Sequence, residues 1–273
     1  MTLSFDIAGG SIAGEAHVAA GRNNQDAFCW GQTGLGLVAV VCDGCGGAAH
    51  SDVGAKVGAR LIVEAVRRRL GEGLEVVDLL ERARVDVVAH LRTLAAAMSV
   101  EAELASSASK GAATRFATTV ADHFLFTVVG VLVAGGSVTT FALGDGLVVV
   151  NGHRRELGPY PNNEPPYLGY GLLDAGRSDG FEVHPSMNVA DVRSLLIGTD
   201  GVLDVDATNE RELDQFWEDD RIFRNADMVR RRLSVMSRAR RGSSPGRRAD
   251  ALPRLADDTT LVVIRRREER RSS

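Results

Sequence analysis

Four times along the chain a β-rich run ends in a turn with an aspartate at the join: Asn23-Asn24-Gln25-Asp26, Val41-Cys42-Asp43-Gly44-Cys45-Gly46-Gly47, Gly144-Asp145-Gly146 and Gly198-Thr199-Asp200-Gly201. A fifth acidic site, Asp257-Asp258, directly precedes the last β-rich run. Any one Asp-Gly is an ordinary turn. Their joint occurrence says more, because carboxylates on the ends of neighbouring strands gather at one rim of a sheet and repel unless hard cations neutralise them. The pattern predicts strands brought side by side with their acidic ends together, and an oxygen-ligand site suited to Mg²⁺ or Mn²⁺.

The text between these sites supplies strands and helices in blocks. From Leu3 to Val41 the chain reads as a run of strands punctuated by glycines and closing on Gly36-Leu37-Val38-Ala39-Val40-Val41. Two amphipathic helices are predicted, over Ser51 to Leu70 and over Val76 to about Ser107, with Val57, Leu61, Val63, Ala65 and then Leu79, Leu80, Ala83, Val87, Leu91, Leu94 at helical spacing. After Gly111 the period is that of strands, and Gly135-Gly136, Asp145-Gly146 and Asn151-Gly152 mark the turns of an antiparallel meander. Gly158 to Gly180, with four of the seven prolines, reads as a long ordered loop. A strand over Val192 to Gly198, helices over Asn209 to Trp217 and Ala226 to Met236, a mobile segment 238–254 and a last strand over Thr259 to Arg265 complete the reading, with an Arg-rich tail at 266–273. These blocks predict an α+β fold with helices over sheets, and a length of 273 residues allows one large domain or two small ones.

Composition narrows the function. A formal net charge of −4 gives no general affinity for nucleic acid or anionic membranes, and the C-terminal arginines carry no interleaved aromatic residues for base stacking. The longest apolar run, Phe124 to Ala134, is too short for a bilayer and reads as a buried strand. No secretory leader is expected, and three cysteines, Cys29, Cys42 and Cys45, suit a reducing compartment, so the expected location is the cytoplasm. No Gly-x-Ser-x-Gly elbow or P-loop is present, and Cys42-x-x-Cys45 has no second cysteine pair to complete a zinc site.

The order Gln25-Asp26, Asp43-Gly44-Cys45-Gly46-Gly47, Ala117-Thr118-Thr119, Gly144-Asp145-Gly146, Asp200-Gly201-Val202-Leu203-Asp204 and Asp257-Asp258-Thr259-Thr260 resembles the metal-dependent protein phosphatases of type 2C over nearly the whole chain. His17, nine residues before Asp26, looks like the short bacterial branch of that family. The resemblance implies a four-layer α/β/β/α sandwich, in a single domain over 1–273, with two Mn²⁺ or Mg²⁺ ions at one end. It makes Asp43 the carboxylate bridging both ions and the Gly44 carbonyl a further ligand. Asp200 and Asp257 would hold the other ion, Asp26 would act on bound water or beside the ligands, and Asp145 with Asp200 would form a third, weaker site. The implied activity is hydrolysis of phosphoserine and phosphothreonine in proteins by a hydroxide bridging the ions. The implied partner is a phosphorylated protein, a serine/threonine kinase or its target, met by a monomer.

Two departures from the family pattern follow. The phosphate-binding arginine five residues before Asp26 is displaced by one position, so that Gly21 stands there and Arg22 follows; Arg22 is the candidate for the substrate phosphate. Cys45 stands where many eukaryotic members have a histidine that protonates the leaving alkoxide, which makes metal-bound water or His50 the candidate acid ahead of Cys45. His17 is a candidate for orienting Asp26 or the phosphate. Two other readings stay open: an inactive module of this fold that binds a phosphoprotein or kinase, and a hydrolase of small phosphate esters. The intact acidic positions argue against the first.

Overall fold

The structure is a computed structural model that describes residues 5–105, 111–174, 179–206, 212–239 and 255–267. Its first layer of strands is the six-stranded sheet β2-β3-β4-β5-β8, made of β2 (Ala27–Thr33), β3 (Gly36–Cys42), β4 (Val128–Ala134), β5 (Ser137–Leu143) and β8 (Glu182–Val183), with β9 (Met187–Asn188) also on β5. The second is the five-stranded sheet β1-β11-β10-β6-β7, from β1 (Phe5–Ile12), β11 (Thr259–Arg266), β10 (Ser194–Gly198), β6 (Gly146–Val150) and β7 (His153–Leu157). All named pairings are antiparallel.

The apolar run of β3 shows how one sequence serves two layers. Strand side chains alternate between faces, and here both faces are covered. Leu37, Ala39 and Val41 join Val131, Ile197 and Val262 in the core between the two sheets. Val38, Val40 and Cys42 turn the other way, onto Ala55, Ala59, Ile62 and Leu80 of the helices α2 (Ser51–Arg69) and α3 (Val76–Ala105). A third core joins Leu196, Leu261 and Val263 to Val202, Phe216, Ile222 and Leu233. Those side chains belong to α6 (Val202–Asp206), α7 (Gln215–Glu218), α8 (Arg221–Arg224) and α9 (Met228–Ala239). The result is helix, sheet, sheet, helix, the four layers implied by the resemblance.

Several expected elements differ. Residues 112–123 form a helix, α4 (Ala112–His123), not the first strand of a meander. Its Thr118-Thr119-Val120 is β-branched and invites a strand reading, but half-buried Phe116 and buried Thr119 and Val120 fall at helical spacing, and Thr119 Oγ1 receives a hydrogen bond from Ser99 of α3. The motif Ala117-Thr118-Thr119 is therefore helical. The meander itself is broken: β4 and β5 belong to one sheet and β6 and β7 to the other, so Gly144-Asp145-Gly146 is a crossing between sheets. Gly144 and Gly146 take positive φ there, and a Cβ on Gly146 would stand 2.6 Å from the Gly198 carbonyl oxygen. The run Leu3 to Val41 is interrupted by a short helix, α1 (Glu15–Ala20). The loop after Gly158 carries a 3₁₀ turn at Pro161–Asn163 and a helical turn, α5 (Tyr170–Leu173). The helix expected from Asn209 is described only from Gln215, and α8 was not expected at all. Most of the segment 238–254 and the tail from 268 lie outside the described residues.

Helices α2 and α4 meet so closely at Gly54 that an added Cβ would lie 2.2 Å from the backbone oxygen of His123. Alanine normally gains about 1 kcal/mol over glycine inside a helix, whereas overpacking against backbone costs about 1–3 kcal/mol. The clash should win. Gly54→Ala is expected to lower the melting temperature by several degrees in a thermal denaturation series; an increase would show that the two helices can part without loss.

Candidate metal centre

The sandwich brings the acidic strand ends of both sheets to one edge. In the first sheet Ala27 pairs with Cys42, so Asp26 and Asp43 are the next residues beyond the last rung of the ladder. In the second, Gly198 pairs with both Leu147 and Leu261, which sets Asp145, Asp200 and Asp257 just past neighbouring strand ends. Thr199 ties the sheets together: its Oγ1 donates to Asp26 Oδ2 at 2.7 Å and accepts from the Thr260 amide at 3.1 Å. A second chain of bonds runs from Thr260 Oγ1 to Ser11 (2.6 Å), from Asn24 Nδ2 to Ser11 (2.6 Å), and from the Asp26 amide to Asn24 Oδ1 (2.9 Å). Asp26 is thus fixed in backbone and side chain.

Charge repulsion follows from this convergence. Burial, opposed by the Thr199 hydroxyl and reinforced by the Asp258 charge, pushes the Asp26 carboxyl up to about 8. Burial and then the charges of Asp26, Asp200 and Asp257 hold Asp43 well above the carboxylate range. Asp145 rises to about 6 through burial and Asp200, and Asp257 rises for the same two reasons, against the pull of the Asp258 amide. Buried Oδ1 of Asp26, Oδ1 of Asp200 and Oε1 of Gln25 have no hydrogen-bond partner among the described residues. Unsatisfied buried acceptors among mutually repelling carboxylates are the donor set for hard divalent cations, so the residues fit the metal that the sequence pattern implies. Gly44 sits in the same knot, and a Cβ there would lie 2.8 Å from both the Gln25 oxygen and Ser51 Oγ.

The other expected site residues are placed differently. Arg22 donates to the Gly46 and Ala48 carbonyls at 2.7 and 2.5 Å, and Gln25 Nε2 donates to Ala48 at 3.0 Å, so residues 22–25 hold the glycine turn from outside. His50 is exposed at the start of α2, and its ring lies against His123, centroids 5.1 Å apart, rather than against any site carboxylate among the described residues. His17 does not reach Asp26; its Nδ1 lies 2.8 Å from Asp258 Oδ2, close but poorly aligned for a hydrogen bond. Residue-by-residue reading missed Thr199 and Tyr167. Tyr167 is half-buried, its hydroxyl raised by burial, the Cys45 thiol and the charges of Asp43 and Asp145. Thr199 stood inside a quoted motif, whereas only the fold brings Tyr167 here.

The family model described as protein phosphatase 2C matches residues 13–236. The chain belongs to this family. It is a metal-dependent protein serine/threonine phosphatase, and the acidic cluster just described is its candidate centre. This phosphatase is also similar in fold to solved structures of low identity. One is a bacterial serine phosphatase, with 16% identity, a TM-score of 0.59, and 98% of this chain and 100% of that chain covered. Another is the catalytic domain of the serine/threonine protein phosphatase PstP in complex with two manganese ions, at 16%, 0.54, 98% and 100%. A third is PppA, a regulatory component of the T6SS in Pseudomonas aeruginosa, at 17%, 0.52, 97% and 99%. No curated protein matches the phosphatase in sequence. Among the described residues no helix is long and apolar enough to cross a membrane.

Proposed function

We propose that this phosphatase holds two Mn²⁺ or Mg²⁺ ions on Asp26, Asp43, Gly44, Asp200 and Asp257, with room for a third at Asp145 and Asp200. The observation that supports it most is the convergence of five carboxylates with orphaned buried oxygens on Asp26 and Asp200. Bound there, the ions supply Lewis acidity and the activation of water. The chain's own residues do the rest. Thr199 keeps Asp26 oriented by donating to Oδ2, and that bond opposes the rise that burial imposes on the carboxyl. Arg22 receives the phosphate from its tethered position: two of its five N–H groups are committed to the glycine turn, which leaves three for phosphate oxygens.

Substrates on this reading are phosphoserine and phosphothreonine proteins, a kinase or its target, selected by the segment from Gly158 to Gly180 and by the surrounding surface. The enzyme acts as a monomer in the cytoplasm, where its three free thiols stay reduced. A phosphothreonine peptide and para-nitrophenyl phosphate assayed side by side with Mn²⁺, Mg²⁺ or a chelator provide the test. Both hydrolyses should vanish on chelation, and turnover that survives exhaustive chelation would end the reading. The same pair of substrates locates the proton donor. A serine or threonine alkoxide needs a general acid worth about 10²- to 10⁴-fold, whereas nitrophenolate needs little. His50→Ala should therefore depress the peptide rate selectively. The same selective loss in Cys45→Ala instead would move the role to the thiol beside Tyr167.

A further inference from the structure

Among the described residues, three metal-capable side chains come within 4.8 Å of one another at His17, Asp257 and Asp258. That trio looks like a ligand set, but Asp258 is already engaged. It is 2% exposed. Its Oδ1 accepts the Gly14 amide at 2.7 Å, and its Oδ2 accepts the Gln25 amide at 2.6 Å while lying 2.8 Å from His17 Nδ1. A carboxylate accepting two backbone N–H groups at these distances is held by charge-assisted bonds and has little left to offer an ion.

We infer that Asp258 is a positioning residue that orients the ligands Asp26 and Asp257 without binding metal itself, with His17 as its third arm. The three groups it gathers, Gly14, His17 and Gln25, all lie at least 233 positions before it. Gly14 opens α1, whose next two amides donate to the Leu255 and Ala256 carbonyls at 3.0 and 3.1 Å, so this end of the helix is fastened to the segment that carries Asp257. The contact is tight: a Cβ on Gly14 would stand 2.3 Å from the Asp257 carbonyl carbon. Gln25 directly precedes Asp26, so its amide bond to Asp258 fixes the peptide from which Asp26 projects. One buried carboxylate thereby sets the spacing between the Asp26 peptide, in one sheet, and Asp257, at the edge of the other. The groups that orient metal ligands typically influence affinity by about 10- to 100-fold.

This inference rests on the proposed metal centre, and calorimetry with Mn²⁺ on the metal-free protein separates the two. Wild-type protein that binds no Mn²⁺ overturns the centre. Given wild-type binding, Asp258→Ala should keep its ion stoichiometry, raise the dissociation constant about 10- to 100-fold, lower the melting temperature of the metal-free form, and recover most of its kcat at high Mn²⁺. Asp257→Ala should not recover. An unchanged dissociation constant with a lowered melting temperature would make Asp258 merely structural. Loss of one ion with a raised metal-free melting temperature would make it a ligand. Each result overturns the inference. His17→Gln, which leaves both backbone bonds in place, guards against an unfolded Asp258 variant: it should fold and raise the dissociation constant by a smaller factor, about threefold to tenfold, and no change would count against the third arm.

Discussion

Asp43→Ala is expected to cut kcat/KM for a phosphothreonine peptide at least about a thousandfold, on the order of 4 kcal/mol of transition-state stabilisation, without weakening the metal-free fold. The two halves of that expectation come from one arrangement. Asp43 lies past the buried end of β3, and the charges of Asp26, Asp200 and Asp257 all oppose its ionisation. On the proposed reading this carboxylate would be one of the metal ligands, so its loss would disable the centre. Without ions it is the most crowded charge in the cluster. Its backbone carbonyl still accepts the Thr127 amide at 2.8 Å after truncation, so the strand end keeps its anchor. Asp200→Ala should behave alike. Steady-state kinetics and chelator-treated thermal melts check both parts, and unimpaired turnover in either variant would mean that the centre rests on other residues.

The metal-free protein is expected to lose stability as pH rises from about 4 to about 8, and bound Mn²⁺ to reverse the trend. An unfolded aspartate titrates near 3.9, whereas folded Asp145 does so at about 6 and folded Asp26 at about 8, with Asp43 and Asp257 also raised. Between those limits the folded state binds more protons than the unfolded state, so the slope of unfolding free energy with pH is negative. Below about pH 4 the penalty is absent, and it deepens as pH rises through about 6 for Asp145 and about 8 for Asp26. Divalent ions compete with those protons, so the stabilisation they add should grow with pH. At a concentration 100 times the dissociation constant it reaches about 2.7 kcal/mol, or roughly 5 to 10 °C at about 2–4 °C per kcal/mol. Thermal melts from pH 5 to 8, with and without Mn²⁺, measure this directly. A flat metal-free profile would show that the carboxylates do not repel.

Much of this centre could be read from the chain because the chemistry is local at each strand end. Asp43, Asp145 and Asp200 follow strands, whereas Asp26 comes after α1 and just before β2 and Asp257 just before β11, and their convergence needs two packed sheets with these ends aligned. What escaped reading depends on contacts between distant segments. His17 pairs with Asp258, 241 positions away by their numbers, and no spacing rule reports that. Arg22 spends two N–H groups on the glycine turn, which only loop geometry decides. Residues 112–123 looked like strand because Thr118, Thr119 and Val120 are β-branched, and packing against α3 outweighed that preference. The sheet crossing at Asp145 was masked by a turn that, taken alone, could equally have closed a hairpin.

The place of the last strand has a consequence for how the enzyme comes into being. β11 is not an edge: it lies between β1 and β10, joined to the former over Phe5 to Ile12 and to the latter over Ser194 to Gly198. During synthesis the first strand therefore waits for a partner about 250 positions later, and such distant pairings are slow to close. Asp257 and Asp258 enter the site with that same strand. A nascent chain that has already laid down β2 to β5 and their helices holds Asp26 and Asp43 but lacks Asp257 and the buttress of Asp258. On the proposed reading, the ligand set is complete only once β11 has paired with both β1 and β10, so closure of this sheet and assembly of the centre are one event.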